Sequence, residues 1–302
     1  MNRNNFLTIF LDGVGIGEKN PDKNIFFKKN FRFICENFNE TPSLDNPIVS
    51  SFNKYIFPLD AVMGVEGLPQ SGTGQTSLLC GINAQKELGY HFGPYPHSSQ
   101  LDFLKQKSLF ALFKDLKKNF YFANSYPKIY FDHLKKSNRV GAFALSYRYA
   151  DGKLNRAEEL RKGAALSAEI DNSRWIEKLG YNLKKISPSL AAKRLLRIAE
   201  KNDFVLYEYF FTDHLGHGRH KEYFEQWLNT LDFFLYEILK NLNYSKTTLL
   251  ICSDHGNIED LSIKTHTKNP AFFLAAGKYA KIFFEKCKDL SDIKKVFELI
   301  YV

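Results

Sequence analysis

Short apolar runs that stop at an aspartate are the strongest constraint on this chain. FLTIFL (6–11) runs into Asp12. FVLYEYFF (204–211) leads to Asp213 and, four residues on, His217. TLLICS (248–253) runs straight into Asp254 and His255. Short runs that are apolar throughout, without alternation, suit strands buried on both faces of a parallel sheet. His266 lies in a polar stretch just before a further run, AFFLAA (271–276). In open sheets of this kind ligands bind beyond the carboxyl ends of the strands. Asp12, Asp213 and Asp254 are therefore expected to share one site. Three carboxylates and three imidazoles converging there would be enough for two divalent metal ions, a device for phosphoryl or sulfuryl chemistry.

The intervening segments predict a helix over 25–35, a loop over 40–54, a strand over 56–63 and a helix beginning within SGTGQT (71–76). A helix over 108–118 and a strand from Phe120 follow. Helices are expected at 189–201, 221–241 and 291–300; in the second, Phe224, Trp227, Leu228, Leu231, Phe234, Leu235 and Ile238 recur every three or four positions. Alternating strands and helices imply an α/β fold with a doubly wound, mostly parallel sheet. Residues 126–189 differ in texture. They are rich in Lys, Arg, Tyr and Ser and lack long apolar runs, so they read as a small inserted cap with its own small sheet and helices. The expected organisation is a core of 1–125 and 190–302, interrupted by a cap at 126–189.

The net charge of +9 can attract anions. The lysines are scattered, often in pairs such as Lys28-Lys29 and Lys117-Lys118, as on solvated helix faces. No long basic run or nucleic-acid-binding signature is present, so a nucleic-acid partner is not expected. No stretch reaches the roughly 18 apolar residues of a membrane span, and FLTIFL is too short for a signal-peptide core. Cys35, Cys80, Cys252 and Cys287 are far apart, with no CxxC; a reducing cytoplasm is the simplest compartment. The oligomeric state is not readable.

The separation of Asp213 and His217 can aim both side chains at one ion. The adjacent pair Asp254 and His255 points two ligands in different directions, one for each of two neighbouring ions. His214 and His220 are out of phase with Asp213 and His217 and read as surface or supporting residues. Ser71 is the candidate nucleophile and Thr73 the second choice. A serine at a helix N-terminus sits among backbone N–H groups that favour negative charge, and a bound cation would lower its pKa. Plain helix capping explains the same serine, and the two roles are compatible.

Taken together, these motifs resemble the alkaline phosphatase superfamily, and within it the cofactor-independent phosphoglycerate mutase and phosphopentomutase branch. The matching residues are Asp12-Gly13-Val14-Gly15, Ser71-Gly72-Thr73-Gly74, Asp213 to His217, Asp254-His255-Gly256-Asn257, and His266-Thr267 with Pro270, all in family order. Gly67 to Thr76, GLPQSGTGQT, is also similar to a signature of a group of short bacterial metalloenzymes of unsettled function. The resemblance implies an alkaline phosphatase-like fold. Asp12, Ser71, Asp254 and His255 would hold one metal, and Asp213, His217 and His266 the other. Ser71 would become a phosphoserine. Manganese is the metal of the mutases, and a donor set without thiolate also admits zinc.

The chain departs from the mutases at Gln75, where they carry His, and in the shortness of its cap. Phosphoglycerate mutase activity therefore does not follow from the resemblance. Gln75, His91, Arg156 and Arg161 are the candidate substrate-binding residues, with the two arginines as a phosphate fork; Tyr147 and Arg148 are weaker candidates. A pairing of both arginines with Glu158 and Glu159 on a solvated helix is the stronger explanation of them. The expected activity is phosphoryl transfer on a small phosphorylated metabolite, as a phosphomutase or phosphatase. The alternatives are a phosphodiesterase or other ester hydrolase of the same superfamily, or a non-catalytic protein that binds a phosphometabolite through its metals.

Overall fold

The computed structural model describes residues 4–137 and 139–301. Its centre is a seven-stranded sheet in the order β2-β3-β7-β6-β1-β5-β4. The strands are β1 (Asn5–Leu11), β2 (Val49–Ser51), β3 (Lys54–Leu59), β4 (Phe120–Phe122), β5 (Phe204–Tyr209), β6 (Thr247–Cys252) and β7 (Ala271–Gly277). β1 pairs in parallel with both β5 and β6, and β4 pairs in parallel with β5. β7 runs antiparallel to β6 and β3, and β2 antiparallel to β3. Five of the seven strands, β1, β3, β4, β5 and β6, therefore point one way, as the apolar runs predict.

Alternation along each strand divides the interior into two layers. Leu7, Ile9, Leu11, Val205, Tyr207, Leu249 and Ile251 face one layer, where they meet the helices Pro188–Lys201 and Phe224–Asn241. Phe6, Phe10, Phe204, Leu206, Leu250 and Cys252 face the other, under the helices Ser71–Cys80, Leu109–Asp115 and Asp292–Tyr301. The second layer uses much of the chain's phenylalanine. Phe204 stacks on Phe113 at 4.8 Å between ring centroids, and Phe6 meets Phe297 edge-on at 4.8 Å. Such aromatic pairs are worth about 0.5–1.5 kcal/mol beyond their buried area.

Three expectations change. The helix expected over 25–35 is two separate turns, Ile25–Lys28 and Arg32–Cys35. Asp232, on the long helix, accepts the backbone N–H groups of Arg32 and Phe33 at 2.9 Å each, so a distant carboxylate starts the second turn. The loop expected over 40–54 contains β2. Among the described residues of 126–189 there is no strand. The segment holds the helices Lys128–Leu134, Ala142–Tyr149, Ala157–Lys162 and Ser173–Glu177. It meets the end of β4 through the isolated bridges Asn124 to Leu166 and Ser125 to Asn155, and through Asn155 and Tyr147, which contact Tyr121 and Phe122. It lacks the continuous apolar runs a buried strand needs. No helix among the described residues is long and apolar enough to cross a membrane.

Candidate metal centre

Three neighbouring strands deliver the acids. Asp12 follows β1. Asp213 lies on the one-and-a-half-turn helix Phe211–Gly216 beyond β5, with His217 at its end. Asp254 and His255 follow β6. Because β7 runs against its neighbours, the loop entering it lies at the same edge as the loops leaving the others. That is why His266 precedes an apolar run and still reaches the site. β3 also ends at this edge, and its continuation presents the start of the helix Ser71–Cys80.

Gly13 makes the turn after β1 with φ +67, and a side chain there would come within 2.9 Å of Asp213 Oδ1. Its backbone N–H approaches Asp254 Oδ1 at 3.4 Å. Glycine is what allows the three acidic loops to close on one another.

Two groups of donor atoms result. In the first, His217 Nδ1 donates to the carbonyl of Lys264 at 2.7 Å, and His266 Nδ1 donates to that of Pro69 at 2.7 Å. These bonds place the ring hydrogens on Nδ1 and leave both Nε2 atoms as bare lone pairs. The two Nε2 atoms face each other at 3.2 Å and stand 3.3 and 3.4 Å from Asp213 Oδ1. Three lone pairs so placed repel unless a cation sits among them. An ion with tetrahedral bonds of about 2.1 Å separates its ligands by roughly 3.4 Å, which these donors match. Asn257 Nδ2 donates to Asp213 Oδ1 at 2.7 Å and holds it in place.

The second group centres on His255 Nε2. Ser71 Oγ lies 3.0 Å from it, Asp12 Oδ1 3.3 Å and Asp254 Oδ1 3.6 Å. Asp12 Oδ1 is buried and has no hydrogen-bond partner of good geometry among the described residues, as befits a cation ligand. Asp12, Asp213 and His255 offer donor atoms within 4.8 Å of one another, as do Asp213, His217 and His266. Asp213 thus belongs to both groups. The His255 and His266 rings stack at 3.8 Å. An oxygen and nitrogen donor set without sulfur fits Mg²⁺, Mn²⁺ or Zn²⁺.

The protonation of the cluster reflects a shortage of positive charge. Burial, reinforced by Asp254, pushes the Asp12 carboxyl well above its usual range. Burial would also raise Asp213, but its contact with His266, the neighbouring His255 and the Asn257 amide hold it well below its usual range. Burial opposes a charge on His255, yet Asp254 and Asp12 push it up to about 10. Burial and Asp254 raise Glu208, on the cavity wall, to about 8. Protons here occupy positions that cations would take.

All seven expected metal ligands therefore meet in one place. Ser71 is the first residue of its helix, Gln70 is the cap, and no side chain caps that helix end. The Ser71 hydroxyl is turned toward His255 instead of the helix. Thr73 is engaged with backbone: its hydroxyl accepts from Phe92 N at 3.2 Å and approaches the carbonyl of Gln70 at 3.3 Å. Gln75 donates to Asp254 Oδ2 at 3.1 Å and lines the cavity over the centre, which measures about 640 Å³.

The other substrate candidates lie elsewhere. Arg156 stacks over Phe131 at 3.7 Å and, with Arg148, lines a separate cleft; Arg161 lines another. His91 contacts the carbonyl of Val65 at 3.1 Å, and Tyr147 is buried among Phe110, Phe120 and Phe122. The cavity wall instead carries Arg219, Glu208 and His214, which sequence patterns did not single out as binding residues.

Glu259 was also missed. Only 1% exposed, it accepts Gly15 N at 2.9 Å and Asn257 N at 2.7 Å on one oxygen, and Thr267 Oγ1 and Asn269 Nδ2 on the other. One carboxylate thereby ties together the loops that carry Asp12, His255 and His266. An acid five positions after Asp254, in a loop otherwise short of apolar residues, was the available signal.

The fold and donor set define an alkaline phosphatase-like architecture with a candidate two-ion centre. Comparisons with known proteins agree. Residues 172–298 match the Metalloenzyme superfamily. Alkaline phosphatase from the Antarctic bacterium TAB5 superposes with a TM-score of 0.52 at 12% identity, covering 100% of both chains. Cold-active alkaline phosphatase from Shewanella sp. superposes with a TM-score of 0.53 at 11% identity, covering 98% of this chain and 99% of its own. A TAB5 mutant (TM-score 0.51, 13% identity, 99% of both chains) carries Mg in a site termed M3. The 2,3-bisphosphoglycerate-independent phosphoglycerate mutase of Metamycoplasma hominis is 31% identical over 128 residues, 38% of this chain. The match spans only 26% of that mutase's length. The resemblance read from the motifs is matched by the fold, and over residues 172–298 by the Metalloenzyme superfamily.

Proposed function

We propose that this chain is a two-metal enzyme that transfers a phosphoryl group from a small phosphorylated metabolite to Ser71. The observation that carries this reading is the placement of Ser71 Oγ, 3.0 Å from His255 Nε2, at the edge of two donor groups that share Asp213. Asp12, Asp254, His255 and Ser71 would hold one ion, and Asp213, His217 and His266 the other, with Mn²⁺ or Zn²⁺ as the favoured occupants. When bound, the ions would acidify the seryl hydroxyl and stabilise charge on the phosphoryl oxygens.

The chain's own groups set up the reaction. The Ser71 helix brings the positive end of its dipole to the site where negative charge develops. Gln75 holds Asp254, and Asn257 holds Asp213. Arg219, exposed at the cavity rim, is placed to meet a phosphoryl or carboxylate oxygen of the substrate. Attack by Ser71 Oγ forms one P–O bond and breaks the ester P–O bond, and the departing oxygen takes up a proton. Water then resolves the phosphoserine in a phosphatase; a second hydroxyl of the substrate does so in a mutase. All four cysteines are free thiols, which supports a reducing cytoplasm as the working compartment.

The test is incubation with Mn²⁺ or Zn²⁺ and a panel of sugar phosphates and phosphodiesters, following free phosphate against isomer formation. Intact-mass detection of one phosphoryl group on Ser71, absent in Ser71→Ala, is the expected covalent signature. Stoichiometric metal binding without turnover of any ester or diester would sink the proposal and leave a binding protein.

A further inference from the structure

Beside the metal centre lies a second cleft, of about 440 Å³, which adjoins the first along Tyr126, Tyr130, Phe210 and His214. Its size falls within the ~300–1,000 Å³ of small-molecule sites. Its character differs from that of the charged cavity. Phe211 and Trp175 join the shared aromatic rings in its walls, and Ile129 and Leu179 stand at its mouth, 66% and 40% exposed. Arg174 lines it too, with its guanidinium over Phe211 at 5.2 Å. Flat faces of this kind stack on flat ligands.

The polar groups of the cleft point the same way. Ser125 Oγ, Tyr130 Oη and His214 Nδ1 are buried atoms with no hydrogen-bond partner among the described residues, and all three residues line this cleft. Ser125 is only 3% exposed. Buried polar atoms are nearly always bonded. Three unsatisfied ones among aromatic rings suit a ligand with a flat body and hydrogen-bonding edges. An aliphatic tail would leave all three unsatisfied.

Building on the phosphoryl-transfer reading, we infer that this cleft is the subsite for the alcohol portion of the ester, and that this portion carries a heteroaromatic ring. The substrate class is then a nucleotide-like ester. Its phosphoryl group meets Ser71, a short linker crosses the rim at Tyr126 and Phe210, and the ring lies among Trp175, Phe211 and Arg174 with its edge at Ser125 and His214.

Three probes separate the possibilities: adenosine, adenosine 5′-monophosphate and glycerol 3-phosphate, each with the Mn²⁺-loaded protein. Adenosine is expected to quench tryptophan emission saturably. The monophosphate is expected to exceed glycerol 3-phosphate in kcat/KM by about tenfold or more. Ala168→Phe, which fills the cleft, should lower that preference about tenfold. Ile129→Asp, at an exposed position that does not endanger folding, should lower it in the same direction. Equal turnover of the two esters without quenching overturns the subsite and leaves the metal-centre reading standing. Quenching by adenosine with no turnover of either ester keeps the ring site and overturns phosphoryl transfer. Failure of all three probes overturns both.

Discussion

Replacing Glu259 with Met tests whether one carboxylate organises the metal loops. The side chain keeps its length and loses both acceptors. Gly15 N and Asn257 N are then left in a buried region without a partner, at roughly 1–3 kcal/mol each. Thr267 and Asn269 also lose their shared acceptor, but a hydroxyl and an amide can reorient where a backbone N–H cannot. The expected loss is therefore roughly 2–6 kcal/mol, a large part of the about 5–15 kcal/mol that stabilises an ordinary domain. Glu259→Gln should cost much less, because its oxygen can keep the two backbone donors while Thr267 and Asn269 turn to accept from its amide. Urea unfolding of both variants, with metal and with chelator, supplies the numbers. Glu259 also spans the loops that carry Asp12, His255 and His266, so the Met variant should bind metal more weakly than Gln does. A Met variant within about 0.5 kcal/mol of the parent, or one no different from Gln, would refute the reasoning.

Ser71→Ala should reduce turnover by about a thousandfold or more while leaving the unfolding midpoint near that of the parent, measured by phosphate release and urea titration. Chelation should lower the thermal midpoint reversibly, because a metal at a hundred times its Kd adds about 2.7 kcal/mol to the folded state; an unchanged midpoint would argue against a resident ion. His255 is raised from 6.5 to about 10, so its stabilising contribution to the metal-free protein is complete below pH about 6.5 and is lost as the pH rises through about 10. Urea unfolding of the metal-free form should therefore show stability falling across that range; the raised Asp12 carboxyl adds a loss of the same sign as the pH climbs above the ordinary carboxylate range. A metal must displace the His255 proton, so loading should release protons into weakly buffered solution and tighten as pH increases.

The parts of this molecule that could be read in advance are those specified by a few adjacent residues. FLTIFL and TLLICS are buried on both sides, so their composition alone marks them as strands. Asp213 and His217 lie one helical turn apart, and the structure uses that turn. β2 escaped notice because it is three residues at a sheet edge with only Val49 buried. The break between Ile25–Lys28 and Arg32–Cys35 escaped because Asp232, on another helix, supplies the N-terminal acceptors. The same holds at the site. Arg156 and Arg161 had the right chemistry, but their positions depend on how 126–189 packs, and that packing places Arg156 on Phe131. Glu259, Arg219 and Glu208 gain their roles from loops and strands that meet only in the folded chain.

The order of strands also bears on how the molecule is made. β1 leaves the ribosome long before its neighbours in the sheet, β5 and β6, whose residues begin at Phe204 and Thr247. Until that distant part of the polypeptide is synthesised, the apolar ribbon from Phe6 to Leu11 has neither native edge satisfied. Pairings that span so much chain form slowly and leave a nascent protein open to self-association. Birth of this protein should therefore lean on chaperones more heavily than its size alone suggests.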